Sequence, residues 1–253
     1  MKRLFEDNSS KNINTLIKQT SVEVNKDSNG AVSVIARTPR LLLRPVCTDD
    51  IAFYDECLWG SEEVMAKFGD GKPRKEKGGY ESYASWRIRD AENSFINRWQ
   101  SGNPYSGYSI IVDSDKELIG HIIIGGGELA YLLKPSAWNH KYATEATIAL
   151  THVVLPSLIE HGFKPMCGDQ EVQNITATVR ADHLPSQRIL DNNGFITSGK
   201  IDKKVFEGKE CDRLIFTVPV ATLCVRYSTV KDRSNKARIL PPSEDEQKKS
   251  PTV

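Results

Sequence analysis

The chain has 253 residues and a mass of 28.3 kDa, enough for one large domain or two small ones with a buried core. Its 34 Lys and Arg residues balance 33 Asp and Glu residues, and the net charge of +1 argues against a protein that binds nucleic acid over most of its surface. Five cysteines without a CxxC pair argue against a disulfide scaffold or a zinc ribbon and indicate a reducing compartment.

Both ends of the chain are polar, and neither resembles a targeting segment. The start lacks the apolar run of a signal peptide, and the most apolar stretch, residues 148–159, is too short and too polar to span a bilayer. We therefore expect a cytoplasmic protein that contacts no membrane. We also expect polar tails over residues 1–37 and 223–253, around one domain formed by residues 38–222.

Between these ends the apolar residues alternate between strand and helix periods. The predicted strands cover residues 40–44, 108–112, 118–124, 128–133, 175–179, 196–201 and 214–218. The predicted helices begin at an N-cap on Thr48, cover about residues 80–100, begin near Tyr142 and cover residues 185–193. Short links at residues 113–115 and 125–127 force antiparallel neighbours. These elements predict an α/β (α+β) fold, a mixed and mostly antiparallel sheet with helices on both faces.

The connection between the strand at residues 128–133 and the helix from Tyr142 is a candidate anion site. A helix N-terminus presents unpaired backbone N–H groups and a partial positive charge, which together suit a diphosphate. The alternative is a plain strand-to-helix connection, because such loops are common. The pattern alone leaves both interpretations open.

Residues 138–146, WNHKYATEA, resemble the acetyl-coenzyme A signature of the GCN5-related N-acetyltransferases (GNAT family). The closest resemblance is to the branch that acetylates ribosomal-protein N-termini, whose members typically have W-G-x-G-Y-A-T-E-A. Residues 38–45 resemble the opening strand of the family, and residues 177–180 and 186–195 resemble its penultimate strand and last helix. The resemblance spans about residues 38–220.

The resemblance implies an acetyl-CoA-dependent N-acetyltransferase that uses no metal. It would move the acetyl group directly to a primary amine of a protein N-terminus or a small molecule, as a monomer or homodimer, with no nucleic-acid partner. The implied pantetheine and thioester contacts are the backbone of Ala130, Tyr131, Leu132 and Leu133. The implied pyrophosphate contacts are Trp138, Asn139, His140, Lys141, Tyr142, Ala143 and Thr144. His183 stands where the family usually has an Asn that contacts the coenzyme.

Two residues are candidates for proton transfer. Ser186 matches the serine that protonates the leaving thiolate in this branch, and its alternative is a local backbone hydrogen bond in the first helical turn. Glu128, at the start of its strand, is the candidate base, and a solvated strand-end carboxylate is the alternative. His121 and His183 are further candidates for the base, although His121 in its apolar strand is expected to be a packed side chain.

The signature departs from the family at two loop glycines, which are Asn139 and Lys141 here. Asn tolerates left-handed backbone geometry and Lys tolerates it poorly, although a lysine ammonium is also able to pair with a phosphate. With His183, these departures support the alternative of a catalytically impaired GNAT-fold module for ligand sensing or protein interaction. The basic loop at residues 72–77 is either a solvated surface or an element that steers an acidic acceptor.

Overall fold

The computed structural model describes residues 2–238, and the side chains of residues 10–199 and 201–232 within them. The strands are β1 (Ser21–Lys26), β2 (Val32–Arg37), β3 (Leu41–Pro45), β4 (Gly107–Val112), β5 (Leu118–Gly125), β6 (Glu128–Leu133), β7 (Met166–Cys167), β8 (Gln170–Glu171), β9 (Asn174–Arg180), β10 (Ile196–Phe206) and β11 (Lys209–Pro219). The helices are α1 (Lys2–Gln19), α2 (48–58), α3 (Glu62–Met65), α4 (83–90), α5 (Phe95–Gln100), α6 (Tyr142–Glu160), α7 (Leu184–Asn192) and α8 (Val220–Arg238). The predicted α/β (α+β) fold is confirmed.

One large sheet organises the described part of the chain, with the strand order β1-β2-β3-β4-β5-β6-β9-β11-β10. Neighbours in this sheet pair antiparallel except β6 and β9, which pair parallel. The hairpin between β5 and β6 turns on Gly126 and Gly127, whose φ angles of 59° and 83° lie in the left-handed region that glycine adopts without a steric cost. Because of this tight turn, β6 begins at Glu128, as predicted.

The two faces of the sheet carry different helices. On one side, which we call the α6 face, α6 packs on Leu129 and Leu133 of β6. On the other side, the α2 face, Tyr54 and Phe95 from α2 and α5 pack with Leu132. Because side chains alternate along a strand, neighbouring residues of β6 point to opposite faces.

Helix α6 is the central helix of the core. It is long and apolar enough, by composition, to cross a membrane, but 83% of its most apolar window is buried inside the protein. The sequence analysis counted only residues 148–159 as the apolar stretch, whereas the helix begins at Tyr142 and ends at Glu160. Burial against the sheet identifies this segment as the core helix of the domain.

The polar N-terminal tail expected over residues 1–37 is wrong. These residues form α1, β1 and β2, and the side chains of Ile13 and Ile17 are 2% and 0% exposed against Val230 of α8 and two residues of α6. The segment is polar on average because, among the described side chains of α1 (residues 10–19), one narrow stripe faces the core. Composition conceals such a stripe, whereas the i, i+4 spacing of the two isoleucines indicates it.

The C-terminal tail expected over residues 223–253 is also wrong over its first part, where α8 buries Leu223 completely. Residues 239–253 lie outside the described residues. Three smaller differences concern helix ends and strand lengths. Cys47 rather than Thr48 is the N-cap of α2, Ser94 caps α5 and so divides the single helix expected over residues 80–100, and β10 and β11 are each 11 residues long.

Candidate active site

A wedge opens in the middle of the sheet, where β6 and β9 meet at only one register pair. Glu128 lies opposite Thr176, and the Thr176 N–H donates to the Gly127 carbonyl at 2.8 Å. Beyond this pair, β6 continues to bond with β5 only, and β9 with β11 only. Within the described part of the chain, the edge of β6 that faces β9 therefore has no strand partner over residues 129–133. We call this opening between residues 129–133 and 177–180 the wedge.

The N-terminus of α6 lies at the mouth of the wedge. Lys141 occupies the N-cap position with φ 63° and ψ 13°, and no side chain caps the helix. Among the described residues, no acceptor pairs with the backbone N–H groups of Tyr142, Ala143 and Thr144. These free donors and the positive end of the helix dipole form a site for an anion such as a diphosphate.

The loop before α6 keeps a glycine-type backbone although it contains no glycine. Asn139 and Lys141 both have a φ of 63°, in the left-handed region. Such a conformation costs a residue other than glycine about 1–2 kcal/mol, and less for Asn. The side chains that replace the two expected glycines have therefore not changed the geometry of the loop, and both they and His140 are exposed.

Glu145 fixes the start of α6 to the start of β3. Its Oε1 accepts hydrogen bonds from the Thr38 hydroxyl at 2.5 Å and the Arg40 N–H at 3.1 Å, and its Oε2 pairs with the Arg40 guanidinium at 2.6 Å. Its side chain is 8% exposed. Glu145 thus does more than complement the dipole of the helix N-terminus, because it also links this end of α6 to the sheet.

Arg40 also orders the loop itself. Its Nη1 donates to the His140 carbonyl at 3.1 Å, and its guanidinium lies 4.8 Å from the centre of the Tyr142 ring. The rings of His140 and Tyr142 stack with centres 5.5 Å apart. Arg40 is therefore a positioning residue for the loop. The sequence analysis assigned this residue only to the opening strand.

Trp138 forms a hydrogen bond with one of the backbone carbonyls of β6 at the wedge. Its indole N–H donates to the Leu133 carbonyl at 2.8 Å, and the half-buried ring packs on both faces of the sheet. The Leu133 carbonyl is therefore not free to bind a ligand unless Trp138 moves. The remaining candidate positions on β6, Ala130, Tyr131 and Leu132, precede this contact.

Tyr131 and Ser186 come together across the wedge, on the α6 face. Burial raises the pKa of the Tyr131 phenol to about 12, and the nearby Ser186 hydroxyl lowers it in part. Among the described residues the buried phenol oxygen has no hydrogen-bond partner, so the two hydroxyl groups are neighbours that do not form a hydrogen bond. Ser186 is half-buried in the first turn of α7. A hydroxyl pair is thus available beside the middle of β6.

His183 lies at the N-cap of α7, but its side chain caps no N–H group there. Burial lowers its pKa, and the positive charges of Arg180 and Lys67 lower it further, against the opposing effect of Asp182. The imidazole is therefore neutral at pH 7 and is half-buried at the edge of the wedge.

The two remaining candidates for the base differ in accessibility. Glu128 is exposed at the closed end of the wedge, and alternation along β6 assigns its side chain to the α2 face. His121 is 4% exposed, its Nδ1 contacts the Tyr54 hydroxyl at 2.9 Å, and burial lowers its pKa to about 3. His121 is thus a packed core residue, as expected from its apolar strand.

A buried polar chain continues from His121 and was not predicted. Tyr54 also contacts the Ser109 hydroxyl at 3.4 Å, which donates to Asp50 at 2.6 Å, and Asp50 forms a two-bond ion pair with Arg44. Burial raises the pKa of Asp50, but the hydrogen bonds from Arg44, Ser109 and the Cys47 N–H outweigh it and hold this pKa below its usual value. Apart from the acidic first turn at residues 49–50, no local pattern indicates this buried chain.

The outer side of the wedge is closed by the β10–β11 hairpin. Arg180, at the end of β9, lies 4.0 Å above the centre of the Phe206 ring, and the Glu207 N–H donates to the Asp70 carbonyl at 3.0 Å. The basic loop follows directly and borders an open cavity of about 560 Å³, lined by Glu62, Pro73, Arg74, Lys75, Glu76 and Tyr83. Among the described residues, no group of three or more His, Cys, Asp or Glu side chains is arranged to hold a metal.

Comparison with known proteins places this geometry in a wider context. A family model described as an acetyltransferase (GNAT) domain matches residues 40–196. The uncharacterized N-acetyltransferase YnaD of Bacillus subtilis (strain 168) is 27% identical over 123 residues, which are 46% of this chain and 65% of that protein. The chain therefore matches slightly less than two thirds of the length of this relative.

Two solved structures share the fold at a TM-score of 0.50. One is an acetyltransferase (GNAT family) from Bacillus anthracis, 18% identical, for which the match covers 74% of this chain and 99% of that chain. The other is a probable acetyltransferase, 14% identical, with 72% and 94% covered. At these identities the likeness concerns the fold alone.

Proposed function

The chain belongs to the GNAT acetyltransferase family, and on that premise we propose that it transfers an acetyl group from acetyl-CoA directly to a primary amine. The acceptor is the N-terminus of a protein or a small amine. The resemblance of residues 138–146 to the ribosomal-protein branch makes peptide N-termini the first acceptors to test.

The observation that carries the proposal is the left-handed loop at the mouth of the wedge. Its free N–H groups at Tyr142, Ala143 and Thr144 face outward from a helix N-terminus, which fits the diphosphate of a coenzyme. The Lys141 ammonium adds a positive charge at the same place. The unpartnered edge of β6 then provides backbone donors and acceptors for the pantetheine arm and the thioester oxygen.

Acetyl-CoA supplies the acetyl group as a thioester, and the residues around β6 supply proton transfer on opposite faces of the strand. Glu128 accepts a proton from the amine on the α2 face as the new N–C bond forms. Ser186 donates a proton to the sulfur as the C–S bond breaks, on the α6 face where Tyr131 lies beside it. His183, neutral at pH 7, lines the wedge at the coenzyme side.

The proposal is tested by incubating the full chain with acetyl-CoA and a panel of peptides, amino acids and polyamines. Release of free thiol and a mass increase of the acceptor would support it. Coenzyme binding is measured separately as a thermal upshift, because a ligand at about a hundredfold excess over its Kd stabilises a protein by about 2.7 kcal/mol.

The two measurements separate the proposal from the alternative of a non-catalytic module. An upshift without thiol release from any amine would favour a GNAT fold that binds the coenzyme but does not transfer. Absence of both at millimolar coenzyme would refute binding at the wedge. A Thr144→Arg variant, which places a large side chain at the helix start, is expected to abolish the upshift, and Thr229→Arg on exposed α8 is the matched control.

A further inference from the structure

Two arginines on the α2 face have no carboxylate partner among the described side chains. Arg87 in α4 and Arg98 in α5 are both half-buried, and each donates only one long hydrogen bond to a backbone carbonyl, at 3.3 Å to Asn93 and 3.4 Å to Tyr105. Arg89, two residues from Arg87, instead pairs with Asp90 and Glu81. Arg87 thus differs from its helix neighbour Arg89, and Arg98 in α5 shares the lack of a carboxylate partner with Arg87.

The environment of this pair disfavours positive charge. Burial lowers the pKa of both guanidinium groups, and the charge of Arg98 lowers the pKa of Arg87 further. Partly buried like charges without a counter-charge are costly, and a bound anion removes that cost. A forked guanidinium also matches the two oxygens of a carboxylate.

Arg98 lies beside the β5–β6 hairpin, and Arg87 lies on the same face of the sheet, near His121 of β5. The Nη1 atom of Arg98 is 3.6 Å from the point where a Cβ on Gly125 would be, and Gly125 pairs with Glu128 at the start of β6. The guanidinium of Arg87 lies 4.8 Å from the centre of the Phe95 ring, which stacks on His121. Glu128 itself forms no ion pair with either arginine within 4 Å. The missing side chain of Gly125 leaves Arg98 open beside the candidate base.

Helix α4 links Arg87 to the open cavity beside the basic loop. Tyr83 lines this cavity, and it lies one helical turn before Arg87. Its phenol is close enough to act electrostatically on Arg87. Arg87 therefore lies near the wall of the cavity that Tyr83 forms.

We infer that Arg87 and Arg98 bind a carboxylate of the acceptor, next to the amine that Glu128 deprotonates. The inference rests on the proposed function, because it assigns the acceptor class of the same site. The acceptor is then an amine that carries a side-chain carboxylate, either an acidic amino acid or a peptide with an acidic residue at its N-terminus. Polyamines are rejected, because they place further positive charge beside the two arginines.

The test compares acceptors that differ only in the acid. Asp- and Glu-initiated peptides are compared with their Asn and Gln counterparts, and free aspartate with asparagine and spermidine. We expect kcat/KM to favour the acidic acceptors at least tenfold. Arg87→Gln and Arg98→Gln should lower kcat/KM for acidic acceptors about 10- to 100-fold more than for the amides. Arg89→Gln is the matched control, and Arg87→Lys should retain part of the preference.

Equal use of acids and amides by the native protein would overturn the inference, as would a parallel loss of both in Arg87→Gln with an unchanged melting temperature.

If no amine is acetylated, the proposed function fails but the anion site remains measurable. Titration calorimetry with the C-terminally amidated dipeptides Asp-Ala and Asn-Ala, which differ only in the side-chain carboxylate, then decides. Binding of the Asp-Ala amide alone, lost in Arg87→Gln, would support the site, and absence of any binding would refute it. If Arg87→Gln does not fold, Arg98→Gln replaces it in both experiments.

Discussion

Tyr131 on β6 and Ser186 on α7 present their hydroxyl groups to each other across the wedge, although 55 residues separate them in the chain. Burial keeps the phenol protonated, with a pKa of about 12, so that it remains a hydrogen-bond donor throughout the physiological range. The group beside the serine hydroxyl is therefore a neutral donor and not a charge. This pair is the most specific feature of the α6 face of the wedge.

Ser186→Ala is expected to lower kcat about 100-fold and to leave the Kd of acetyl-CoA unchanged, because general-acid assistance acts on the leaving thiolate only as the bond breaks. Stopped-flow thiol release and a thermal shift with acetyl-CoA measure the two quantities. If the Ser186 hydroxyl bonds only to the backbone of its own helical turn, Ser186→Ala would instead leave kcat unchanged.

Tyr131→Phe provides the matched test of the second hydroxyl. Its oxygen is buried without a formed hydrogen bond, so we expect stability to stay the same or rise slightly. If Tyr131 orients Ser186, kcat falls in Tyr131→Phe and falls no further when Ser186→Ala is added. Additive effects of the two changes would contradict a shared role.

Lys141→Gly should raise the free energy of unfolding by about 0.5–1 kcal/mol, since relief of left-handed strain outweighs the entropy that glycine loses on folding. It should also raise the Kd of acetyl-CoA about fivefold. The loop already has its glycine-type geometry with lysine in place, so the substitution removes only the charge of the ammonium group. Urea unfolding and calorimetry measure both effects.

Asn139→Gly is the control for this prediction, since Asn139 shares the φ of 63° but carries no charge and tolerates this conformation. Both its stability and its coenzyme affinity should stay near the native values. Tighter coenzyme binding by Lys141→Gly would mean that the lysine strains the loop instead of binding phosphate.

Glu145→Gln should destabilise the protein by about 2 kcal/mol, the size of a charged hydrogen bond, because it removes the ion pair with Arg40. The start of α6 then loosens, and acetyl-CoA affinity should fall as well. Glu160→Gln, at the exposed end of the same helix, is expected to change neither quantity. Loss of stability without loss of affinity would show that the loop is ordered independently of Glu145.

His152 and His121 should make the protein lose stability in mild acid. Burial lowers their pKa values to about 4 and about 3, so the unfolded chain binds protons below pH 6.5 that the native state does not. Stability is then full above pH 6.5 and is lost as the pH falls toward these values, by about 1.4 kcal/mol per pH unit for each group.

His152→Gln should flatten this slope by about half in urea unfolding at pH 7, 6 and 5, while the exposed His161→Gln should leave it unchanged. His152 is 2% exposed and its Nε2 contacts the Asn193 carbonyl at 2.9 Å, a partner that a glutamine amide can also reach. An unchanged slope in His152→Gln would assign the acid sensitivity to other groups.

Segments with a strong local pattern were predictable. Strand β6 has the predicted bounds, and α6 begins at Tyr142 as expected, because alternation, the glycine turn and the Y-A-T-E-A run are all local signals. The left-handed loop was also foreseeable from the two positions where the family has glycine. Helix α1 was missed because its apolar stripe is narrow within a polar composition.

The amino-acid sequence by itself determined the family resemblance, the core strands and helices, and the residues of the coenzyme loop, because these depend on neighbours along the chain. Only the tertiary structure decided that β6 and β9 separate after one pair, that Trp138 takes the Leu133 carbonyl, and that Arg87 and Arg98 share a half-buried place. These relationships depend on how distant segments pack and on which charges lose water there. No short segment of the sequence specifies by itself which residues are buried or which distant residues lie close together.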